Sequence, residues 1–216
     1  MRFKLYGYWR SSATYRVRIA LNLKQVPYHY VPVHLVKDGG GQHLAEYQTL
    51  NPAGLVPTLV DNSGNVLNQS SAIIEYLDEL YPQAPMLLPP TSLEKAKVRT
   101  LAQDIACDIQ PLANLRVMQY LNSALDCSDV QQKAWSKHWI ETGFTGIEKR
   151  LKESAGDYCF GNDVSMADLY LVPQVYNALR FSVNMDNYSL LHKIYLNCNR
   201  LSAFVAAKPE NQPDAE

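Results

Sequence analysis

A chain of 216 residues is long enough for one large domain or two modest ones with a substantial core. Its 47% hydrophobic and 19% charged content is that of an ordinary globular protein, and a net charge of −1 leaves no electrostatic footprint for nucleic acid or an anionic membrane. No run approaches the roughly 20 apolar residues that cross a bilayer, and the opening MRFKLYGYW lacks the apolar stretch and cleavage site of a secretory signal, so the cytosol is the expected compartment.

In chain order, Phe3, Leu5 and Tyr6 run up to Gly7 as a short buried strand. A helix then opens on Ser11, Ser12 and Thr14, with Ala13, Val17, Ala20 and Leu21 at i, i+4, i+7 and i+8. A helix start carries unpaired N–H groups and the positive end of the dipole, so hydroxyls there suit a phosphate, a carboxylate or a thiolate. The plainer reading is that Ser11 or Ser12 is an N-cap. Val26-Pro27 breaks the pattern and Tyr28–Val33 alternates as a second strand. Lys37-Asp38-Gly39-Gly40-Gly41-Gln42 is a glycine-rich loop without the Gly-Lys-Ser/Thr of a phosphate loop, leading to a short helix around His43–Gln48.

Asn51-Pro52-Ala53-Gly54 is turn chemistry, and Leu55-Val56-Pro57-Thr58-Leu59-Val60 puts proline at the entry of an apolar run. A cis Val56-Pro57 bond would aim the Val56 N–H and C=O outward, where an extended peptide can pair with them; a trans proline at a strand start is the plainer alternative. Asn62-Ser63-Gly64-Asn65 turns the chain back through Val66-Leu67, and Gln69-Ser70-Ser71 opens a second helix with hydroxyls at its mouth, stopped by Pro82. The first part therefore reads βαβ, a short helix, then ββα. A proline-rich connector follows, and from Leu93 onward only helical periods remain, near 92–124, 128–155, 165–182 and 188–207. Ser165-Met166-Ala167-Asp168 fits a capping box, stapled by Val164 and Leu169, and the polar stretch Pro209–Glu216 is expected to fray.

Four cysteines (Cys107, Cys127, Cys159, Cys198) form no C-x-x-C pair, and five histidines show no metal-ligand spacing, so no metal is expected.

Taken together, Arg10-Ser11-Ser12-Ala13-Thr14-Tyr15-Arg16-Val17-Arg18-Ile19-Ala20-Leu21, Asn51-Pro52 with Val56-Pro57-Thr58-Leu59, Gln69-Ser70-Ser71-Ala72-Ile73-Ile74-Glu75-Tyr76-Leu77, Ile109-Gln110-Pro111-Leu112 with Asn114-Leu115, and Met166-Ala167-Asp168-Leu169 through Arg180-Phe181 resemble the zeta class of the glutathione transferase superfamily, whose members include maleylacetoacetate isomerases. The resemblance spans nearly the whole chain. It implies an α/β thioredoxin-like N-terminal domain over 1–82, a linker over 83–91 and an all-α C-terminal domain over 92–216. It also implies a homodimer, and glutathione as cofactor in the cleft between the domains.

Residue by residue, it implies that Val56 beside Pro57 pairs with the cysteinyl backbone of glutathione. Gln69 and Ser70 hold the γ-glutamyl carboxylate, Gln42 lies toward the glycyl side, and Gln110 and Asn114 face the cleft from a long helix, with Leu115 and Arg116 beside them. The thiol lies over the Ser11–Thr14 turn, bordered by Ala13, Tyr15 and Arg16, with Ser11 and Ser12 as donors. Arg180, with Arg10 as a second choice, binds the substrate carboxylates; for Arg16 and Arg18, pairing with acidic groups is the default expectation. The reaction implied is cis-to-trans isomerisation of a maleyl double bond by reversible thiolate addition. A conjugating transferase, a maleylpyruvate isomerase and a non-catalytic binding module are the rivals. One departure stands out: many zeta members carry cysteine where this chain has Ala13.

Overall fold

The structure, a computed structural model, describes residues 3–216. It divides into two compact units: the chain up to Met86 together with Arg200–Glu216, and Leu87–Asn199.

The first unit is built on a four-stranded sheet in the order β2-β1-β3-β4. Strand β1 (Phe3–Gly7) leads into helix α1 (Ser12–Leu23), which returns to β2 (Tyr28–Pro32), parallel to β1 with Leu5 opposite Tyr30. A short helix α2 (Ala45–Leu50) precedes β3 (Thr58–Val60) and β4 (Val66–Asn68), both antiparallel additions with Leu59 opposite Leu5 and Leu67. Helix α3 (Ser70–Leu80) completes the βαβ–ββα order expected from the alternation of apolar runs and turns. Phe3, Leu5, Leu59, Val17, Ile19, Leu21, Ile73 and Leu77 form its core. At the far ends of α1 and α3, the fully buried Lys24 Nζ pairs with Asp78 at 2.6 Å and donates to the Pro85 carbonyl at 2.8 Å. A buried ammonium is tolerable only with such partners.

The second unit contains helices α4 (Ser92–Asp108), α5 (Leu115–Leu125), α6 (Asp129–Ser154), α7 (Met166–Arg180) and α8 (Ser189–Cys198). Among the described residues it has no strand, only an isolated bridge between Ala155 and Gly161. Helix α7 is buried along nearly its whole length from Met166 to Val175 and packs on α4 and α8. The capping box is present: Asp168 Oδ2 accepts from the Ser165 N–H at 2.8 Å and hydroxyl at 2.9 Å, and Oδ1 accepts from the Cys159 N–H at 2.8 Å.

Three expectations are corrected. The period 92–124 is not one helix, because Pro111 lacks the N–H that an α-helix requires and a 3₁₀ turn over Gln110–Ala113 separates α4 from α5. Residues 200–216 do not belong with the helical domain proposed for 92–216. Helix α9 (Ser202–Ala207) packs on α1, where Arg18 Nε donates to the Ala207 carbonyl at 3.0 Å and Asn22 Nδ2 to that of Ala203 at 3.0 Å. The stretch Pro209–Glu216 does not fray either: Asp214 accepts hydrogen bonds from Trp9 and Tyr30, and Glu216 is paired with Lys37 and His34. Local polarity sees none of these partners, which lie about 180–200 residues away in sequence.

Candidate active site

The mouth of α1 is a β-turn: the Ser11 N–H donates to the Tyr8 carbonyl at 3.0 Å, leaving Trp9 and Arg10 at the corners. Ser11 is the N-cap, its Oγ accepting from the Thr14 N–H at 3.2 Å. The cap reading is therefore correct for Ser11, and it is compatible with a ligand role, since a hydroxyl that accepts one bond still has a proton to donate. Ser12 is the first helical residue and is buried; Ala13 is half-buried behind it. Thr14 is fully buried with Oγ1 unpartnered, and its methyl carbon fills the place where a Cβ on Gly7 would sit, 2.3 Å away. Only glycine at position 7 lets β1 end this close to the helix start. No acidic residue occupies the first turn.

The mouth of α3 is similarly open. Gln69 stands before it at φ 69°, ψ 118°, a sparsely populated conformation for a residue with a side chain, and makes no side-chain cap. The first turn again holds no acid. The two mouths are joined: Arg16, 2% exposed, donates from Nη1 to Ser70 Oγ at 3.3 Å. This bond links two serine-led helix starts.

Between them in sequence, the Val56-Pro57 bond is cis. The Leu55 carbonyl accepts from the Tyr47 hydroxyl at 2.6 Å and from Asn51 Nδ2 at 2.7 Å, and Thr58 Oγ1 bonds both Tyr47 and Asn68. These bonds fix both flanks of Val56, whose own N–H and C=O make no hydrogen bond within the described residues. An extended ligand backbone is the natural partner for such a pair.

The other expected residues lie as follows. Gln42 is buried, with Nε2 donating to the Leu35 carbonyl at 3.2 Å and Oε1 unpartnered, so its amide nitrogen serves its own loop. Tyr15 is a core residue with its ring 5.4 Å from the Arg18 guanidinium carbon, not part of the open mouth. Arg18 is fully buried and binds carbonyls, those of Trp9 at 2.9 Å and Ala207 at 3.0 Å. Burial lowers its pKa, opposed by the neighbouring Tyr30, Tyr28, Tyr15 and Asp214. Arg10 is exposed and lies over the Trp9 ring at 4.9 Å. Within the second unit, Gln110 begins the 3₁₀ turn instead of lying along a long helix. Asn114 caps α5 by accepting from the Arg116 N–H at 3.4 Å, Leu115 starts that helix half-buried, and Arg116 is exposed. Arg180 ends α7, exposed, with Nη1 on Asn177 Oδ1 at 3.0 Å and its guanidinium 5.6 Å from the Phe181 ring. Sequence reasoning missed Tyr30 and Asp214, which hold the turn before Ser11; no local pattern marks either.

All four cysteines fall in Leu87–Asn199, so the unit that holds both helix mouths has no thiol of its own.

Comparison with known proteins adds the lineage. Residues 5–85 match the family model for the glutathione S-transferase N-terminal domain. A probable maleylacetoacetate isomerase of Vibrio cholerae is 54% identical over 215 residues, covering 100% of this chain and 99% of that protein. The holo structure of a bacterial zeta-class maleylpyruvate isomerase is similar at a TM-score of 0.94 and 43% identity, with 99% and 100% of the two chains covered. A maleylacetoacetate isomerase from Anaeromyxobacter dehalogenans 2CP-1 was solved with bound dicarboxyethyl glutathione and citrate in the active site. It is similar at a TM-score of 0.87 and 35% identity, with 100% and 98% covered. Full-length similarity at this level, on the fold and helix mouths described above, places the chain in the glutathione transferase superfamily, within the zeta class that contains the maleylacetoacetate isomerases.

Proposed function

We propose that the protein is a glutathione-dependent cis–trans isomerase converting maleylacetoacetate to fumarylacetoacetate, a step of aromatic amino-acid breakdown, acting as a cytoplasmic homodimer. The observation that carries this reading is the pair of serine-led helix starts, linked by Arg16 and Ser70 and left without acids of their own, in a unit without cysteine. Such a unit is suited to an anionic tripeptide that brings its own sulfur.

The residues present fit glutathione. Ser70 and the N–H groups opening α3 suit its γ-glutamyl carboxylate, Val56 pairs with its cysteinyl backbone, and the loop tied down by Gln42 borders its glycyl end. When bound, glutathione supplies the thiol that adds reversibly to the maleyl double bond and departs once that bond has become trans. A free thiol has a pKa near ~8.5, so the enzyme's part is to favour the anion. The Ser11 hydroxyl, its lone pair already engaged by Thr14, donates toward the sulfur. Ser12 and the positive end of α1 add to the same effect. Arg180, or Arg10 as the second choice, supplies fixed positive charge for the substrate's carboxylates, for which a guanidinium offers two parallel donors. Ala13 removes the cysteine common at that position, and the isomerisation survives because the nucleophile is borrowed. The Anaeromyxobacter relative holds a dicarboxyethyl derivative of glutathione, which supports a site that takes glutathione together with a diacid.

The test is NMR of a maleyl substrate with catalytic glutathione. Fumaryl product beyond one equivalent of glutathione supports the isomerase, whereas a stoichiometric thioether makes the protein a conjugating transferase. Similarity to the maleylpyruvate isomerase makes maleylpyruvate the second substrate to assay.

A further inference from the structure

Trp9 is a corner of the turn that sets Ser11, and both of its peptide groups are held from elsewhere in the first unit. Its N–H donates to Asp214 Oδ2 at 3.0 Å, and its C=O accepts from Arg18 Nη2 at 2.9 Å. Arg18 also grips the Ala207 carbonyl at 3.0 Å, so the same residue ties the turn to α9. Tyr30, on β2, donates its hydroxyl to the same Asp214 oxygen at 3.2 Å. The approach of Asp214 is shaped by Gln212, whose Nε2 donates to the carbonyls of Ala206 at 2.9 Å and Lys208 at 2.8 Å.

This arrangement is more than a staple needs. Asp214 Oδ1 and Arg18 Nη1 are both buried without a hydrogen-bond partner. Withdrawing charged groups from water without full pairing costs stability, and a neutral amide would join two segments with less penalty. What a carboxylate does better is hold a backbone N–H in one place, since a charge-assisted hydrogen bond is shorter and stronger than a neutral one. The N–H so held belongs to the residue two before Ser11. An error in the Trp9 peptide passes through the turn into the Ser11 hydroxyl and the first N–H groups of α1.

We infer that Asp214 is a positioning residue for the Tyr8–Ser11 turn, fixing through the Trp9 N–H the direction in which the α1 mouth meets the sulfur of glutathione. The inference rests on the proposed function, in that it takes the sulfur to lie at that mouth. It assigns to the returning segment Arg200–Glu216 a share in the reaction, with no contact to either ligand.

The experiment uses the full chain and follows two quantities: the ultraviolet thiolate absorbance of bound glutathione against pH, and kcat and KM for a maleyl substrate. Asp214→Ala is expected to raise the apparent pKa of the bound thiol by about one unit and lower kcat about tenfold, with KM for glutathione changing less than about threefold. Asp214→Asn, which keeps an acceptor for the Trp9 N–H but loses the charge that strengthens the bond, is expected to recover only part of both. Tyr30→Phe, which removes the second donor to Oδ2, is expected to move them the same way by a smaller amount; it carries the test if the alanine variant does not fold. A fall in melting temperature with an unmoved thiolate titration and kcat would reduce Asp214 to a staple and overturn the inference.

A Ser11→Ala, Ser12→Ala double variant separates the two readings. If it moves the thiolate and Asp214→Ala does not, the inference fails and the proposed function stands. If Asp214→Ala moves the thiolate and the serines do not, the serine assignment fails and the positioning role stands. Absence of any thiolate signal in the unaltered protein overturns both.

Discussion

The serines at the starts of α1, α3 and α7 sit in two different kinds of helix end. At the start of α7, Asp168 turns a carboxylate back onto the helix end and accepts from the Ser165 N–H, the Ser165 hydroxyl and the Cys159 N–H. That end is sealed, fully buried and chemically finished. At the starts of α1 and α3 no acid lies in the first turn, although the same physics makes an anion welcome there. The contrast teaches that a serine at a helix start says little by itself; what decides its role is whether the chain supplies the anion or leaves the place for one.

Breaking the sealed end should produce the largest effect. Asp168→Ala leaves three buried donors without an acceptor and is expected to cost about 3 kcal/mol in denaturant unfolding, with glutathione affinity of the folded protein unchanged. A loss below about 1 kcal/mol would show that the box is ornamental. The opposite end of the same helix carries Arg180, and there the expectation reverses. Arg180→Ala should leave stability nearly intact and lower kcat roughly 30-fold, equivalent to about 2 kcal/mol, while the glutathione Kd stays within about twofold. Equal losses in kcat and glutathione binding would remove it from the substrate's side of the site.

The comparison is sharpened by converting one kind of start into the other. Ala72 is exposed and holds on α3 the third helical position that Asp168 holds on α7. Ala72→Asp should add about 0.5 kcal/mol of stability through the helix dipole and weaken glutathione roughly tenfold in calorimetric titration, because the place for its carboxylate is taken. Unchanged affinity would move the γ-glutamyl group away from α3.

The smallest effect is one of pH. Burial raises the pKa of Asp168 even though its hydrogen bonds to Ser165 and Cys159 act the other way. A carboxyl whose folded pKa exceeds its unfolded one lends stability that is complete below the unfolded value and lost as pH rises through the folded value. The stability of the unaltered protein minus that of Asp168→Asn should therefore shrink as pH climbs above 3.8, the ordinary value. A gap that widens over that range would reverse the assignment.

The parts of this fold that are legible in the sequence are those decided by near neighbours. The spacing of Ala13, Val17, Ala20 and Leu21 marks α1, the Ser165–Asp168 box marks where α7 begins, and Asn62–Asn65 marks the β3–β4 turn, because each depends on side chains within a few residues. The candidate site is legible to the same extent: both helix mouths and the Val56-Pro57 step are readable as local chemistry. The link from Arg16 to Ser70 is not, since it is made across 54 residues, and Arg18 reads as a partner for acidic groups until the carbonyls of Trp9 and Ala207 are seen around it. Pro111 was a visible warning that the period over 92–124 could not be continuous, and the apolar spacing on either side masked it. Polar composition made 209–216 look unanchored, because the donors that hold Asp214 lie on β2 and in the β1–α1 turn.

The division of the chain has a temporal meaning. The helical unit is inserted into the first unit, between Met86 and Arg200. A ribosome making this protein delivers Trp9 early and Asp214 about two hundred residues later, after every helix has been synthesised. Until residue 214 has been made, the glutathione-binding half waits unlatched and its serine turn lacks its final support.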